Sequence, residues 1–294
     1  MILLNDYLRQ RFGCKVYKLA LSADVTCPNR DGTLGTRGCI FCSAGGSGDF
    51  AVGPCQSVAR QIEEAKARVA AKVPAGSRYI AYFQSFTNTY GDPAYFRRIW
   101  YEAIKEPEVA VLAIGTRPDC LSDEILDLLA EINAVKPVWV ELGLQTIHPA
   151  SAAYIRRGYD LPVFDEAVKK LRAIGIEVIV HVILGLPGES DEAMKETVRY
   201  VCDAGVQGLK LQLLHVLKGT DLAADYEAGK VPIMEMDHYV RLLGELCAEL
   251  PENMVVHRLT GDGPKKLLLA PLWTADKKRV MNAVRQELVR RNLV

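Results

Sequence analysis

The chain has 294 residues, 49% of them hydrophobic and 24% charged, which supplies a core that needs no disulfide staples. These are the proportions of an ordinary globular protein, and they exclude collagen, coiled coil and disorder. Charge balances overall, but from His257 onward nine Lys and Arg face three Asp and Glu. That leaves +6 in the tail and −6 in the rest of the chain, an asymmetry that fits either a nucleic-acid surface or a solvated helix face.

No apolar run approaches the ~18–20 residues needed to cross a bilayer. The opening stretch MILLNDYLRQRF turns charged within five residues and has no signal-peptide core. A cytoplasmic protein is expected.

Six apolar or β-branched runs then follow: VYKLALS (16–22), RYIAYFQ (78–84), VAVLAIG (109–115), PVWVELG (137–143), EVIVHVILG (177–185) and GLKLQLLHV (208–216). Segments of 3.6-residue periodicity separate them, among them Val58 to Val69 and Leu121 to Ile132, the latter with a start signal at Ser122. Repeated strand-then-helix units predict an α/β fold with a parallel sheet and right-handed crossovers. A Rossmann-like sheet and an incomplete βα barrel both satisfy the pattern. Past residue 217 the rhythm changes to a helix over Met236 to Leu250, a short strand NMVVHRL and a loop TGDGPKK. A basic helix over roughly 275–292 closes the chain, with Val280, Val284 and Leu288 on one stripe.

Eight cysteines are scattered along the chain, and three are grouped. Cys27, Cys39 and Cys42 form a C-x11-C-x2-C pattern in a Gly-, Asn- and Thr-rich loop after the first of the six runs. Three thiolates on such a loop suit an iron–sulfur cluster or zinc, or stand there as loop cysteines without metal. Zinc in a structural site takes four ligands, and no fourth Cys or His has usual spacing; Cys55 lies thirteen residues on and Cys14 precedes the strand. Three ligands to a 4Fe-4S cluster leave one iron open for a substrate. Cys202 and Cys247 fall in apolar helical patterns and read as core residues.

Polar motifs gather where strands end: QSFTNTYGDP (84–93), GTRPDC (115–120), ELGLQT (141–146) and GLPGE (185–189). In βα folds that edge holds the site. Each motif alone is also explained by turns and caps.

Taken in order, NDYLRQRFG, CPNRDGT…GCIFC, YFQSFTNTY, GTRPDCL, ELGLQT, HVILGLPGE and HRLTGDGPKKLLLAPLW resemble the radical SAM enzymes of the bacterial YhcC/YtqA type, relatives of the radical SAM domain of the Elongator catalytic subunit. The resemblance runs nearly the full length. It implies a partial (β/α)6 TIM-like barrel over 1–216 and a helical, basic C-terminal extension over 217–294 that packs on the barrel. It also implies a 4Fe-4S cluster on Cys27, Cys39 and Cys42, with S-adenosylmethionine chelated to the open iron. One-electron reduction, from a donor such as flavodoxin or ferredoxin, would cleave the cofactor to methionine and a 5′-deoxyadenosyl radical.

By the same resemblance Phe41 lies beside the adenine, Gln84, Ser85 and Thr87 hold the methionyl amine, and Gln145 stands near the ribose. Arg157 is placed near the cofactor carboxylate, although Arg156 and Arg157 also read as a solvated helix end. The backbone at Ile183 and Leu184 lies against adenine. One position departs from the Elongator-type ETRPD motif: Gly115 stands where that motif has Glu, so any role of the glutamate is lost or passes elsewhere, with Glu141 the candidate. The resemblance makes tRNA the leading substrate, through 5-carboxymethylaminomethyl uridine at the wobble position, and the basic tail agrees. His181, His215 and Lys210, with Gln212 nearby, are candidates for positioning substrate or moving a proton. Alternatives are a small-molecule or protein substrate, and a non-enzymatic iron–sulfur or zinc protein that leaves Phe41, Gln145 and GLPGE without purpose.

Overall fold

A computed structural model describes residues 1–46, 48–53, 57–261 and 263–294; Cys55, and Asp262 of the TGDGPKK loop, lie outside them. The elements in chain order are β1 (Ile2–Leu3), α1 (Leu4–Phe12), β2 (Val16–Leu21), α2 (Val58–Val69), β3 (Arg78–Phe83), α3 (Pro93–Lys105), β4 (Val109–Thr116), α4 (Asp123–Asn133), β5 (Val138–Gln145), α5 (Pro149–Tyr154), α6 (Leu161–Ala173), β6 (Glu177–Leu184), α7 (Asp191–Asp203), β7 (Gly208–Leu213), β8 (Val216–Leu217), α8 (Asp221–Glu227), α9 (Met236–Glu249), β9 (Val255–Arg258), β10 (Leu268–Ala270) and α10 (Lys277–Arg290).

The six expected strands are β2 to β7, and they pair in sequence order, all parallel. Two more strands extend the sheet: β9 pairs with β7 and β1 pairs with β9, also parallel, giving the order β1-β9-β7-β6-β5-β4-β3-β2. This eight-stranded sheet curls into an incomplete barrel with helices outside, so of the two expected α/β forms the barrel is realised. The stretch expected as strand 208–216 ends at Leu213, and Val216–Leu217 forms a separate antiparallel pair with β10.

Period-2 alternation sorts each strand between two layers. Outward residues such as Phe83, Leu112, Val140, Val180 and Leu211 pack under the helices in the main core. Inward residues build a second layer, in which Ile80, Val111, Trp139 and Ile179 meet Leu8 of α1 and plug the base of the barrel. Local chemistry starts the helices where the sequence predicts. Ser122 accepts the Ile125 N–H ahead of α4, Ser190 the Ala193 N–H ahead of α7 and Asp276 the Arg279 N–H ahead of α10. Val280, Val284 and Leu288 are buried as one stripe, and α10 lies against α9. Cys247 is buried and Cys202 half-buried against the main core. Among the described residues no helix is long and apolar enough to cross a membrane.

Candidate active site

A cavity of about 430 Å³ opens at the C-terminal ends of the strands, and Cys27, Cys39 and Cys42 all line it. The cysteine loop, running from β2 towards α2, is held by its own polar side chains. The Asn29 amide donates to Cys39 Sγ at 3.3 Å and to the Arg156 carbonyl at 2.7 Å, tying the loop to the segment after α5. Arg30 donates to the Ser43 carbonyl at 2.6 Å. Two glycines permit close approach. Gly46 and Gly158 adopt φ of +56° and +79°, and a Cβ would meet the Phe86 ring at 2.4 Å or Asn29 Oδ1 at 3.0 Å. A hydrogen bond from Cys42, then the Asn29 amide and the Arg117 and Arg30 charges, pull the Cys39 thiol down to about 6 against the effect of burial. Arg117 itself is clamped by Asp119 at 2.9 and 2.7 Å.

The residues fit an iron–sulfur cluster on several counts. Thiolates are its protein ligands, hydrogen bonds to sulfur tune it, and cations here offset its negative charge. Among the described residues no three His, Cys, Asp or Glu side chains form a group that could hold a metal ion. A cluster makes a different demand, because each of its three protein-bound irons takes one thiolate. The surroundings also fit a polar organic cofactor. Gln145 lines the cavity, yet its Oε1 is buried with no hydrogen-bond partner among the described residues, and such an orphan costs about 1–3 kcal/mol until a ligand satisfies it. Phe86 and Gln145, both cavity-lining, and Arg156 are non-glycine residues at φ of 60°, 71° and 58°. Strain of this kind persists where packing over-determines it, and it gathers at binding sites.

Most of the expected cofactor contacts share this cavity: Phe41, Gln84, Thr87, Glu141, Gln145, Arg157 and Ile183 line it. Ser85 and Leu184 do not. Ser85 is buried beneath Gly48, where a Cβ would meet its Oγ at 1.8 Å; Leu184 points outward into the main core, and its carbonyl accepts the Leu214 N–H at 2.9 Å. Arg157 is buried rather than solvated. It donates to the Thr146 carbonyl at 2.6 Å and the Tyr159 carbonyl at 3.0 Å, with its guanidinium 4.6 Å from the centre of the Tyr159 ring.

Between the apolar plug and the open cavity lies a polar floor. Glu141, fully buried, takes Lys18 Nζ on Oε1 at 2.7 Å and both Lys210 and His181 on Oε2, the histidine at 2.9 Å. Gln212 Nε2 stands 3.2 Å from His181 Nδ1. Lys18 and Lys210 lie 4.6 and 4.8 Å from the centre of the Tyr82 ring. Burial opposes ionisation of Glu141, but Lys18, Lys210 and His181 outweigh it and hold the carboxyl well below the usual carboxylate range. Burial, then the Lys210 charge, pulls His181 down to about 4, so the imidazole is neutral at pH 7. Glu141 lies directly across from Gly115 in the β4–β5 register. It therefore stands beside the position at which the Elongator-type motif carries its glutamate. His215, expected on a strand, sits just beyond β7; Nδ1 lies 3.0 Å from the Leu213 carbonyl and Nε2 3.1 Å from Thr274 Oγ1.

Several cavity residues were not foreseen: Lys18, Arg30, Tyr82, Tyr159 and Arg258. The available signal was a lone charge in an apolar strand, as in VYKLAL and VVHR.

Comparison with known proteins gives the family. Residues 32–201 match the Radical SAM superfamily, and 206–290 match the Radical_SAM C-terminal domain. The chain belongs to the radical SAM superfamily. Within it, the chain is 45% identical to the uncharacterized protein YtqA of Bacillus subtilis over 98% of its length and 89% of that protein's. It is 38% identical to YhcC of Escherichia coli over 92% and 86%. A more distant relative, the tRNA uridine(34) acetyltransferase of Methanocaldococcus jannaschii, is 23% identical over 56% of this chain and 30% of its own. In fold, the chain resembles the archaeal Elp3 of Methanocaldococcus infernus, with a TM-score of 0.69 at 17% identity over 95% of this chain and 64% of that one.

Proposed function

We propose that the protein is a radical SAM enzyme that modifies a uridine at the tRNA wobble position, at the level of the 5-carboxymethylaminomethyl group. On this reading Cys27, Cys39 and Cys42 hold a 4Fe-4S cluster. The bound cluster supplies the electron, received from a flavodoxin- or ferredoxin-type donor, for reductive cleavage of S-adenosylmethionine to methionine and a 5′-deoxyadenosyl radical that takes hydrogen from substrate. The chain's residues orient and enclose. Asn29 fixes the cysteine loop, and the orphaned Gln145 carbonyl oxygen accepts a cofactor hydroxyl. Phe41 and Ile183 offer apolar surface to an adenine, while Arg157 supplies charge for a carboxylate.

The observation that carries the reading is the convergence of three cysteines, an unsatisfied amide and a charged floor on one cavity. Such a site seats a cofactor at the strand ends and a polar substrate group beneath it. Similarity to tRNA uridine(34) acetyltransferases supports an RNA substrate, as does the exposed basic start of α10 at Lys278 and Arg279. A wobble base is single-stranded and can be turned into a pocket without breaking a duplex.

Anaerobic reconstitution followed by EPR tests the cofactor. A 4Fe-4S signal that shifts on adding S-adenosylmethionine and vanishes in Cys27→Ala is expected; one zinc per chain, or a cluster indifferent to the cofactor, overturns the reading. For the substrate, undermodified tRNA should raise 5′-deoxyadenosine formation. Lys278→Ala/Arg279→Ala should weaken tRNA binding and flatten its salt dependence by about one to two in log–log slope. No binding at low salt sinks the RNA assignment and leaves a smaller substrate.

A further inference from the structure

The floor of the cavity carries more positive charge than the protein neutralises. Lys18 and Lys210 share the single carboxylate of Glu141. Arg258, at the end of β9, lines the same cavity half-buried and has no ion pair and no hydrogen bond among the described residues. Register explains how it comes to be there. Arg258 pairs with Lys210, Lys210 with His181 and His181 with Gly143, so four neighbouring strands set these residues in one row across the barrel interior. The imidazole in that row is neutral and adds no charge of its own. Burial pulls the Lys210 ammonium well below the usual lysine range, yet Lys18 and Arg258 alone outnumber the one carboxylate, an excess that burial makes costly because desolvated charge is stable only when paired.

We infer that Arg258, with Lys210 beside it in the register and Lys18 lining the same cavity, forms a receptor on the cavity floor for a carboxylate of the substrate. A guanidinium is the donor that matches a carboxylate in two parallel hydrogen bonds. The floor lies within the strands, below the loops that carry the cysteines, so a group reaching it must project from a small planar body rather than belong to an RNA backbone. A nucleobase appendage ending in carboxylate meets that description. This assignment rests on the proposed function for the identity of the base, though the receptor itself rests only on the charges of the floor. It leaves Arg157, next to the Arg156 carbonyl that holds the cysteine loop, to the cofactor.

The test uses reconstituted protein with S-adenosylmethionine bound and two probes that differ in charge alone, 5-carboxymethylaminomethyluridine and its primary amide. Each is measured as the free nucleoside by calorimetry and within an anticodon stem-loop by fluorescence anisotropy. The carboxylate nucleoside should bind about tenfold or more tightly than the amide. Arg258→Gln should erase that preference while affinity for the amide is unchanged, and Arg258→Lys, which keeps the charge without the fork, should retain part of it. A role in folding alone would not move a difference between two probes. Equal binding of acid and amide nucleosides by the wild-type protein overturns the receptor, whatever the stem-loops do. Loss of S-adenosylmethionine affinity in Arg258→Gln overturns it too, since the guanidinium would then serve the cofactor. Discrimination at the nucleoside level with no binding of either stem-loop upholds the receptor and removes the RNA reading.

Discussion

His181 shows how one residue's surroundings set its chemistry. Its imidazole lies between Glu141 and Gln212, and burial beside Lys210 draws it down to about 4. An unfolded chain would titrate this group near ~6.5. Between those values the unfolded state binds the proton and the folded state does not, so stability falls as pH drops from about 6.5 to 4. The contribution is fully present above that window. Each tenfold difference in proton affinity between the two states corresponds to about 1.4 kcal/mol, so urea unfolding of His181→Asn should lose about 3 kcal/mol less than wild type across the window. Glu141, also held below its usual range, acts in a lower window, where falling pH protonates the carboxylate that Lys18 and Lys210 need. The cysteines were legible from sequence because their spacing and their loop chemistry are local. Lys18 and Arg258 were not, because nothing in the sequence around either indicates that strands at opposite parts of the sheet turn them into one cavity.

At the scale of elements, α10 joins packing to function. Its apolar stripe, Val280, Val284 and Leu288, is buried against the rest of the molecule while Lys278 and Arg279 are exposed. Truncating a fully buried leucine typically costs about 2–5 kcal/mol through lost transfer energy and the cavity left behind. Leu288→Ala should therefore lower unfolding stability by that amount in a denaturant titration without changing the cluster's EPR signal. The Ser122 cap was equally readable. Ser122→Ala should cost about 1 kcal/mol, since it removes the acceptor for the Ile125 N–H. Strand and helix positions in the βα units followed from periodicity, and the α10 stripe appeared in sequence as in structure. The two-residue strands β1 and β8 did not, because so short a run carries no period and exists only through its partner.

At the scale of the whole molecule, the tail completes the sheet. β9 lies between β7 and β1, and α9, packed on α7 and α10, has Tyr239, Leu242 and Leu246 fully buried. A fragment ending at residue 216 would leave β7 with an open edge and β1 with no partner, and unpaired edges invite association. Expressed alone, it should aggregate or lack a cooperative unfolding transition, whereas the full chain unfolds cooperatively; a soluble, cooperatively folded fragment would refute this. The sequence alone determined the run of βα units, the helix starts, the cysteine loop and the gathering of polar motifs at strand ends, because these depend on neighbours a few residues apart. Only the tertiary structure decided that the sheet curls into a barrel, that β9 and β1 extend it, and that Lys18, Glu141, Lys210, His181 and Arg258 meet on one floor. Those residues lie up to 240 positions apart in the sequence, and their register follows from strand pairing across the sheet, which local pattern does not encode.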